Sequence, residues 1–181
     1  MVAPHAQQVA LLRNVNQGQR GHPTTAMILA AFASAGCDDV STFQSNGTVV
    51  FRSDDPRDAV DDAVIRLCDL GYPRDCFTVP ASDLAEIVRA YAGSPESSRL
   101  EITLHGTGTI DRDDAEVARE AARRRCRLVA SGPGWVVSLN ERERESNATP
   151  VVERITGGPA TSRSMGTMRR LLDRHDSSDE E

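Results

Sequence analysis

The tetrad Gln44-Ser45-Asn46-Gly47 lies between two segments rich in β-branched and aromatic residues, 40–43 and 48–52. Asn-Gly supplies the positive φ angles that a tight turn needs, so the pattern commits this region to an antiparallel hairpin. The hairpin constrains its neighbours. Before it come a short apolar strand at 9–13, a polar glycine-containing loop at 14–21, and a helix opening near His22-Pro23. Met27, Ile28, Ala31 and Phe32 lie on one side of that helix, and Gly36 sits where a left-handed cap belongs. After the hairpin, Asp55-Pro56 opens a second helix with Asp58 in its first turn. Ala59, Val60, Ala63, Val64, Leu67 and Cys68 recur there at helical spacing, Gly71 ends the helix, and 76–79 forms a closing strand. The order β-α-β-β-α-β is that of a ferredoxin-like unit.

The second half repeats this order less cleanly. Ser82 opens a helix through Leu84, Ile87, Val88 and Tyr91, and residues 100–105 alternate as a strand. Asp111 caps a helix carrying Ala115, Ala118, Ala121 and Ala122. Residues 126–130 and 135–139 form a hairpin around Ser131-Gly132-Pro133-Gly134. The mixed-charge stretch 140–149 reads as an exposed loop, 151–155 as a last strand, and Gly157-Gly158-Pro159 as a break. Ser164 caps a terminal helix with Met168, Leu171 and Leu172. The expected fold class is α+β: two ferredoxin-like (βαββαβ-type) subdomains with antiparallel sheets, duplicated in architecture without a visible sequence repeat. The expected division is a flexible N-terminus at 1–8, a first subdomain at 9–80, a second with the C-terminal helix at 81–175, and an acidic tail at 176–181.

With one Trp, two Tyr and four Phe, the core must rest on Val, Leu, Ile and Ala. The net charge of -6 opposes broad nucleic-acid binding, which needs concentrated cations. Every basic side chain other than histidine is Arg, and Arg123, Arg124, Arg125 and Arg127 form a local positive run. Neither a signal peptide nor an apolar stretch long enough for a membrane span is visible, so a cytoplasmic protein is expected. Cys37, Cys68, Cys76 and Cys126 form no CxxC pair and read as buried free thiols.

The motifs that carry chemistry are missing. There is no GxGxxG after a strand, no phosphate-loop lysine, no HExxH and no GxSxG. His5 and His175 fall in terminal segments, His22 at a helix start, and His105 at a strand end beside Gly106-Thr107-Gly108-Thr109, with no spacing for a metal site. Asp54, Asp55, Asp58, Asp111, Asp113 and Asp114 fall at helix starts, where capping explains them. Neither cofactor nor metal is expected. The loop Asn16-Gln17-Gly18-Gln19-Arg20-Gly21 can offer backbone N–H groups to an anion at a helix start. Arg13, Asn14, Asn16, Asn46, Thr48 and Arg163 stand next to expected strand ends. Arg forks to carboxylate or phosphate, and Asn both donates and accepts, so this is a binding set rather than a hydrolytic one.

Three segments carry a resemblance. Residues 10–18, Ala10-Leu11-Leu12-Arg13-Asn14-Val15-Asn16-Gln17-Gly18, resemble the opening ALLRGINVGG of the bacterial family catalogued as "domain of unknown function 1697". Residues 39–51 are similar to its DVRTYIQSGNVVF segment, and Thr161-Ser162-Arg163-Ser164-Met165-Gly166-Thr167 to its TARNWRT signature. The resemblance implies two ferredoxin-like subdomains and no assigned activity, substrate or cofactor. Arg13, Asn16, Gly18, Gly47 and Arg163 match the family pattern. Asn14 and Gln19 replace glycines, Asn46 stands for a serine and Thr48 for an asparagine. Ser164 and Met165 replace asparagine and tryptophan, and 140–149 lacks a GRSKL-like stretch. If the altered positions build the family's site, this member has a changed or lost one.

The leading expectation is a small protein binding an anionic or polar ligand in a cleft between its halves, with Arg13 on the anion and Asn14, Asn16, Thr48 and Arg163 orienting it. Three alternatives stand beside it. A nucleic-acid module would need Phe43, Phe51 and Phe77 exposed on one sheet. An enzyme, transferase-like, would need a base that the sequence does not reveal. An interaction module, monomer or homodimer, would use sheet edges or the last helix.

Overall fold

The structure, a computed structural model, describes residues 6–106 and 108–176. His5, Thr107 and the ends of the expected terminal segments, 1–5 and 177–181, lie outside the described residues. The chain divides into two compact units between Asp83 and Leu84.

The first unit runs β1 (Gln7–Leu12), α1 (Thr25–Ser34), β2 (Asp38–Phe43), β3 (Thr48–Arg52), α2 (Pro56–Asp69) and β4 (Cys76–Pro80). Its antiparallel sheet has the order β2-β3-β1-β4. α1 begins because the Thr24 hydroxyl accepts the Met27 N–H at 3.2 Å, leaving His22-Pro23 just outside the helix. α2 begins with Pro56 behind the Asp55 cap, where a missing N–H costs nothing. Ala10, Leu12, Val49 and Phe51 point from the sheet into the helices and meet Ile28, Phe32, Ala63 and Leu67. The Phe32 and Phe51 rings pack tilted, their centroids 5.3 Å apart.

α3 (Ala81–Tyr91) leads into the second unit: β5 (Leu100–His105), α4 (Ala115–Arg123), β6 (Cys126–Gly132), β7 (Trp135–Asn140), α5 (Ala148–Thr156), β8 (Ala160–Ser164) and α6 (Met165–Asp176). The sheet order β6-β7-β5-β8 repeats that of the first unit, so both are ferredoxin-like and the architecture is duplicated.

Four local expectations are corrected. Residues 151–155 are not a strand but the body of α5, with Ala148, Val151 and Val152 buried at helical spacing. The last strand is β8, and Gly157 at φ 71 separates it from α5. Asp114, not Asp111, caps α4, accepting the Glu116 and Val117 N–H groups at 2.8 and 3.1 Å. Asp111 instead accepts the Asp113 N–H. The stretch 140–149 is not wholly an exposed loop, because Asn140 is buried and its side chain bonds to Arg99, Glu145 and Asn147.

The outer strands of the two hairpins are irregular. β2 shifts register between Asp38 and Ser41, where Asp39 holds φ 50, and β6 shifts between Leu128 and Ala130. At the β6 shift the Arg112 guanidinium donates to the Val129 carbonyl, and the Ser131 hydroxyl donates to Ile110 O. The segment around 110–112 is thereby strapped onto β6. No described helix is long and apolar enough to cross a membrane.

Candidate functional site

β1 delivers Arg13, Asn14 and Asn16 into the loop before α1, and the β2–β3 turn delivers Asn46 and Thr48 beside them. Backbone bonds stitch the two segments together: Leu12 N–H to Gly47 O at 2.9 Å and Gln17 N–H to Ser45 O at 2.7 Å. The fit at Gly47 is close, since a Cβ there would lie 2.8 Å from the Val15 Cβ and 2.9 Å from the Leu12 Cβ. Five of the six predicted site residues are thus gathered at one end of the first sheet.

Their side chains differ in what they are committed to. The Asn46 carbonyl accepts the Thr48 N–H and hydroxyl at 3.2 and 2.7 Å, and Thr48 is fully buried. This pair closes the turn. Arg13 is half-buried, donates its backbone N–H to Asp75 O, and carries its guanidinium 4.0 Å from the Asp75 carboxylate. Asn14 is exposed at φ 52, a left-handed conformation that asparagine tolerates. Asn16 is exposed too, and its backbone N–H is accepted by His22 Nδ1 at 3.0 Å, giving that histidine a loop-bracing role. Arg163 lies in β8 of the second unit, donating to the Thr161 hydroxyl and the Ser162 carbonyl.

Sequence reasoning passed over two residues of this loop assembly, Gln17 as a side chain and Arg74. The Gln17 amide oxygen accepts the Thr25 hydroxyl at 2.7 Å, and the Arg74 guanidinium donates to Gly21 O and Pro73 O. Gln17 Nε2 and Arg74 Nε are buried donors with no acceptor. Neither residue type stands out in sequence, and Arg74 reaches the loop from 53 positions away.

The second unit holds a buried carboxylate. Glu101, at the centre of its sheet, accepts from the Ser138 and Ser146 hydroxyls and from the Asn147 and Ala148 N–H groups. Thr103, Ser162 and Thr149 form a second polar cluster in the same unit, through hydroxyl bonds of 2.7 and 2.6 Å. Glu101 thereby fixes the start of α5, a structural use of a buried acidic side chain. The thiols of Cys37 and Cys126 are buried, and burial pushes both up to about 11, so neither is a nucleophile at neutral pH. Cys68, expected buried, is exposed on α2 and Cys76 is half-buried. Phe43 and Phe51 are buried, which removes the aromatic platform that base stacking would use. Among the described residues no three His, Cys, Asp or Glu side chains come together as a metal site.

The sheet order and the position of the Gly47 turn can be set against known proteins. The family described as "Protein of unknown function (DUF1697)" matches residues 6–128. The chain belongs to this family. The match contains the β1–α1 loop, the β2–β3 turn and the strands that position them. A solved structure of similar fold is that of the conserved bacterial protein SP0830 from Streptococcus pneumoniae. It is 15% identical, with 93% of this chain and 97% of that chain covered and a TM-score of 0.63. At that identity the likeness concerns the fold alone. No curated protein matches this DUF1697 member significantly.

Proposed function

We propose that this DUF1697 protein binds a small anionic or polar ligand at the β1–α1 loop, with Arg13 facing the anion and Asn14 and Asn16 orienting it. Asn46 and Thr48 serve as the scaffold that holds the loop. The observation that carries this reading is the pair of acceptor-less donors, Gln17 Nε2 and Arg74 Nε, in the same loop assembly as Arg13. Buried N–H groups without acceptors are rare, because each forfeits its hydration. Arg13, Arg20 and Arg74 also outnumber the neighbouring Asp75, and the first turn of α1 carries no acidic residue. An incoming phosphate or carboxylate would find cations and unfilled donors together. Both atoms are out of solvent reach, so the ligand must enter beneath the loop to meet them.

The test is a thermal-shift screen of the purified chain against phosphorylated metabolites, nucleotides and carboxylates. A ligand that binds the folded state raises its apparent stability by RT ln(1 + [L]/Kd). A shift abolished by Arg13→Ala and weakened by Gln17→Ala is the expected outcome. Failure of every anionic compound to stabilise the wild-type chain would sink the reading. Arg163→Ala, run alongside, tells whether the second unit contributes.

A further inference from the structure

A second concave site lies wholly within the second unit. Between α4, the end of α5 and the segment before α4 there is a cavity of about 550 Å³, within the size range of small-molecule sites. Ile110, Val117 and Ile155 give it an apolar side, continuous with the core cluster around Val136 and Val152. Its charges are segregated. Asp111 and Glu116 lie toward the first turn of α4, whereas Arg119 and Arg123 follow further along the helix and Arg154 approaches from α5.

These charges are not equally occupied. Glu120 is held by Arg123 at 3.7 Å and by Arg124 at 2.9 Å, and Asp114 is committed to capping α4. Arg119 and Glu116, by contrast, make no side-chain ion pair or hydrogen bond among the described residues. On a helix, positions three apart lie on one face, so the carboxylate and the guanidinium flank the same stretch of cavity, and no ion pair or hydrogen bond joins them. Arg154 sits across on α5 as a second guanidinium, and its charge also acts on Glu120, whose pKa is lowered first by its hydrogen bond to Arg124 and further by the Arg124, Arg123 and Arg154 charges. A purely anionic ligand would meet Asp111 and Glu116, and a purely cationic one would meet three arginines. A ligand bearing both charges on an apolar body meets each of its complements.

We propose that this cavity binds a zwitterion with an apolar side chain, of the amino-acid or dipeptide class, the carboxylate on Arg119 and Arg154, the ammonium on Glu116 and Asp111, and the side chain against Ile110, Val117 and Ile155. Arg is suited to the carboxylate because its planar fork donates two parallel hydrogen bonds. The site is separate from the β1–α1 loop and does not depend on it.

The test uses isothermal titration of the full chain with leucyl-leucine, its C-terminal amide and its N-acetyl derivative. The free dipeptide binds with a Kd at or below about 1 mM, and removing either charge weakens binding about tenfold or more, the loss of one good interaction. In Arg119→Ala/Arg154→Ala the dipeptide falls to the level of its amide. In Glu116→Gln the gap between the dipeptide and its N-acetyl form narrows. Arg57→Ala, on α2 of the first unit and part of neither site, leaves all three affinities unchanged, so the losses follow the cavity's own charges. Glu116, Arg119, Arg154 and Arg57 are all exposed, and an unchanged urea midpoint confirms folding. No binding of the free dipeptide, equal binding of all three compounds, or variants indistinguishable from wild type would each overturn the proposal. Retained affinity for the N-acetyl form alone would overturn the zwitterion assignment in favour of a plain carboxylate site.

Discussion

The two units share a topology and differ in what fills the space beneath their helices. Matched by sheet register, Leu12 N–H bonds to Gly47 O in the first unit and His105 N–H to Gly134 O in the second, both glycines at φ 77. Counting back from these points pairs Gln8 with Glu101, Ala10 with Thr103, and Phe51 with Ser138. The helix-facing side of the first sheet is therefore mostly hydrocarbon. The same side of the second carries a carboxylate, hydroxyls and the Asn140 amide, all buried. One backbone plan accepts either filling provided the polar version is hydrogen-bonded throughout, since a half-satisfied network is worse than an apolar core. The first unit fills this layer with packing volume, and the second adds to its apolar clusters a polar network whose members lie far apart in sequence.

Matched substitutions break or sharpen that contrast. The largest effect is expected at Phe51→Ala, which removes a fully buried ring and costs about 4 kcal/mol, against about 1 kcal/mol for Ser138→Ala. Urea denaturation measures both, and equal losses would end the distinction. Next comes Glu101→Ala, which strips an acceptor from two backbone amides and two hydroxyls and costs about 3 kcal/mol. Its counterpart Gln8→Ala is expected to cost about 1 kcal/mol. Hydrogen exchange at the start of α5 should accelerate in the Glu101 variant alone.

The turn glycines come third. Gly47→Ala forces a side chain against Val15, Leu12 and the Leu12 carbonyl, whereas Gly134→Ala meets only His105 O at 3.3 Å. Both pay the strain of a positive φ, about 1 kcal/mol, and Gly47→Ala should lose roughly a further 1–2 kcal/mol to the collisions. The smallest effect concerns Cys37 and Cys126, which stand at the approach to β2 and at the start of β6 and share a raised pKa of about 11. In each case burial is the first cause, with Asp38 adding to it for Cys37 and Glu101 for Cys126. Folding disfavours the thiolate, so this contribution is intact below the ordinary thiol value of 9.0 and is lost as pH rises from there toward about 11. Stability measured across that interval should decline less steeply in Cys37→Ala/Cys126→Ala than in the wild-type chain. At pH 8 a thiol reagent should label Cys68 first.

The same contrast explains which parts of the molecule the sequence disclosed. The first unit announces itself because Ala10, Leu12, Val49 and Phe51 alternate, and because Asn46-Gly47 and Asp55-Pro56 are local signals that tertiary contacts do not overrule. In the second unit the β-branched Val151, Val152 and Ile155 suggest a strand. The helix is decided by Glu101, whose carboxylate caps α5 from 46 and 47 residues away. β8 is hidden because Thr161 and Ser162 are polar: Thr161 is buried with its hydroxyl accepting from Arg163, and half-buried Ser162 bonds to Thr103 and Thr149, partners that lie elsewhere in the sequence. At the candidate site, gathering Arg13, Asn14 and Asn16 with the turn follows from the hairpin. The orphan donors of Gln17 and Arg74 do not, since burial is a property of the assembled loop. Arg119 and Arg123 show the four-residue spacing of a shared helix face, but Arg154 joins them only through the packing of α5.

The register shifts in β2 and β6 have a consequence for behaviour in a crowded solution. An open sheet ends in a row of unused amides and carbonyls, a template on which another chain can lay a strand. In both units the outer hairpin strand is made unsuitable for that purpose: Asp39 turns the backbone of β2 out of line, and Arg112 occupies the Val129 carbonyl of β6. Strand addition at these two edges is disfavoured by a left-handed backbone residue in one unit and by a guanidinium in the other, so Arg112→Ala should leave the urea midpoint nearly unchanged while raising the light scattering of the concentrated protein.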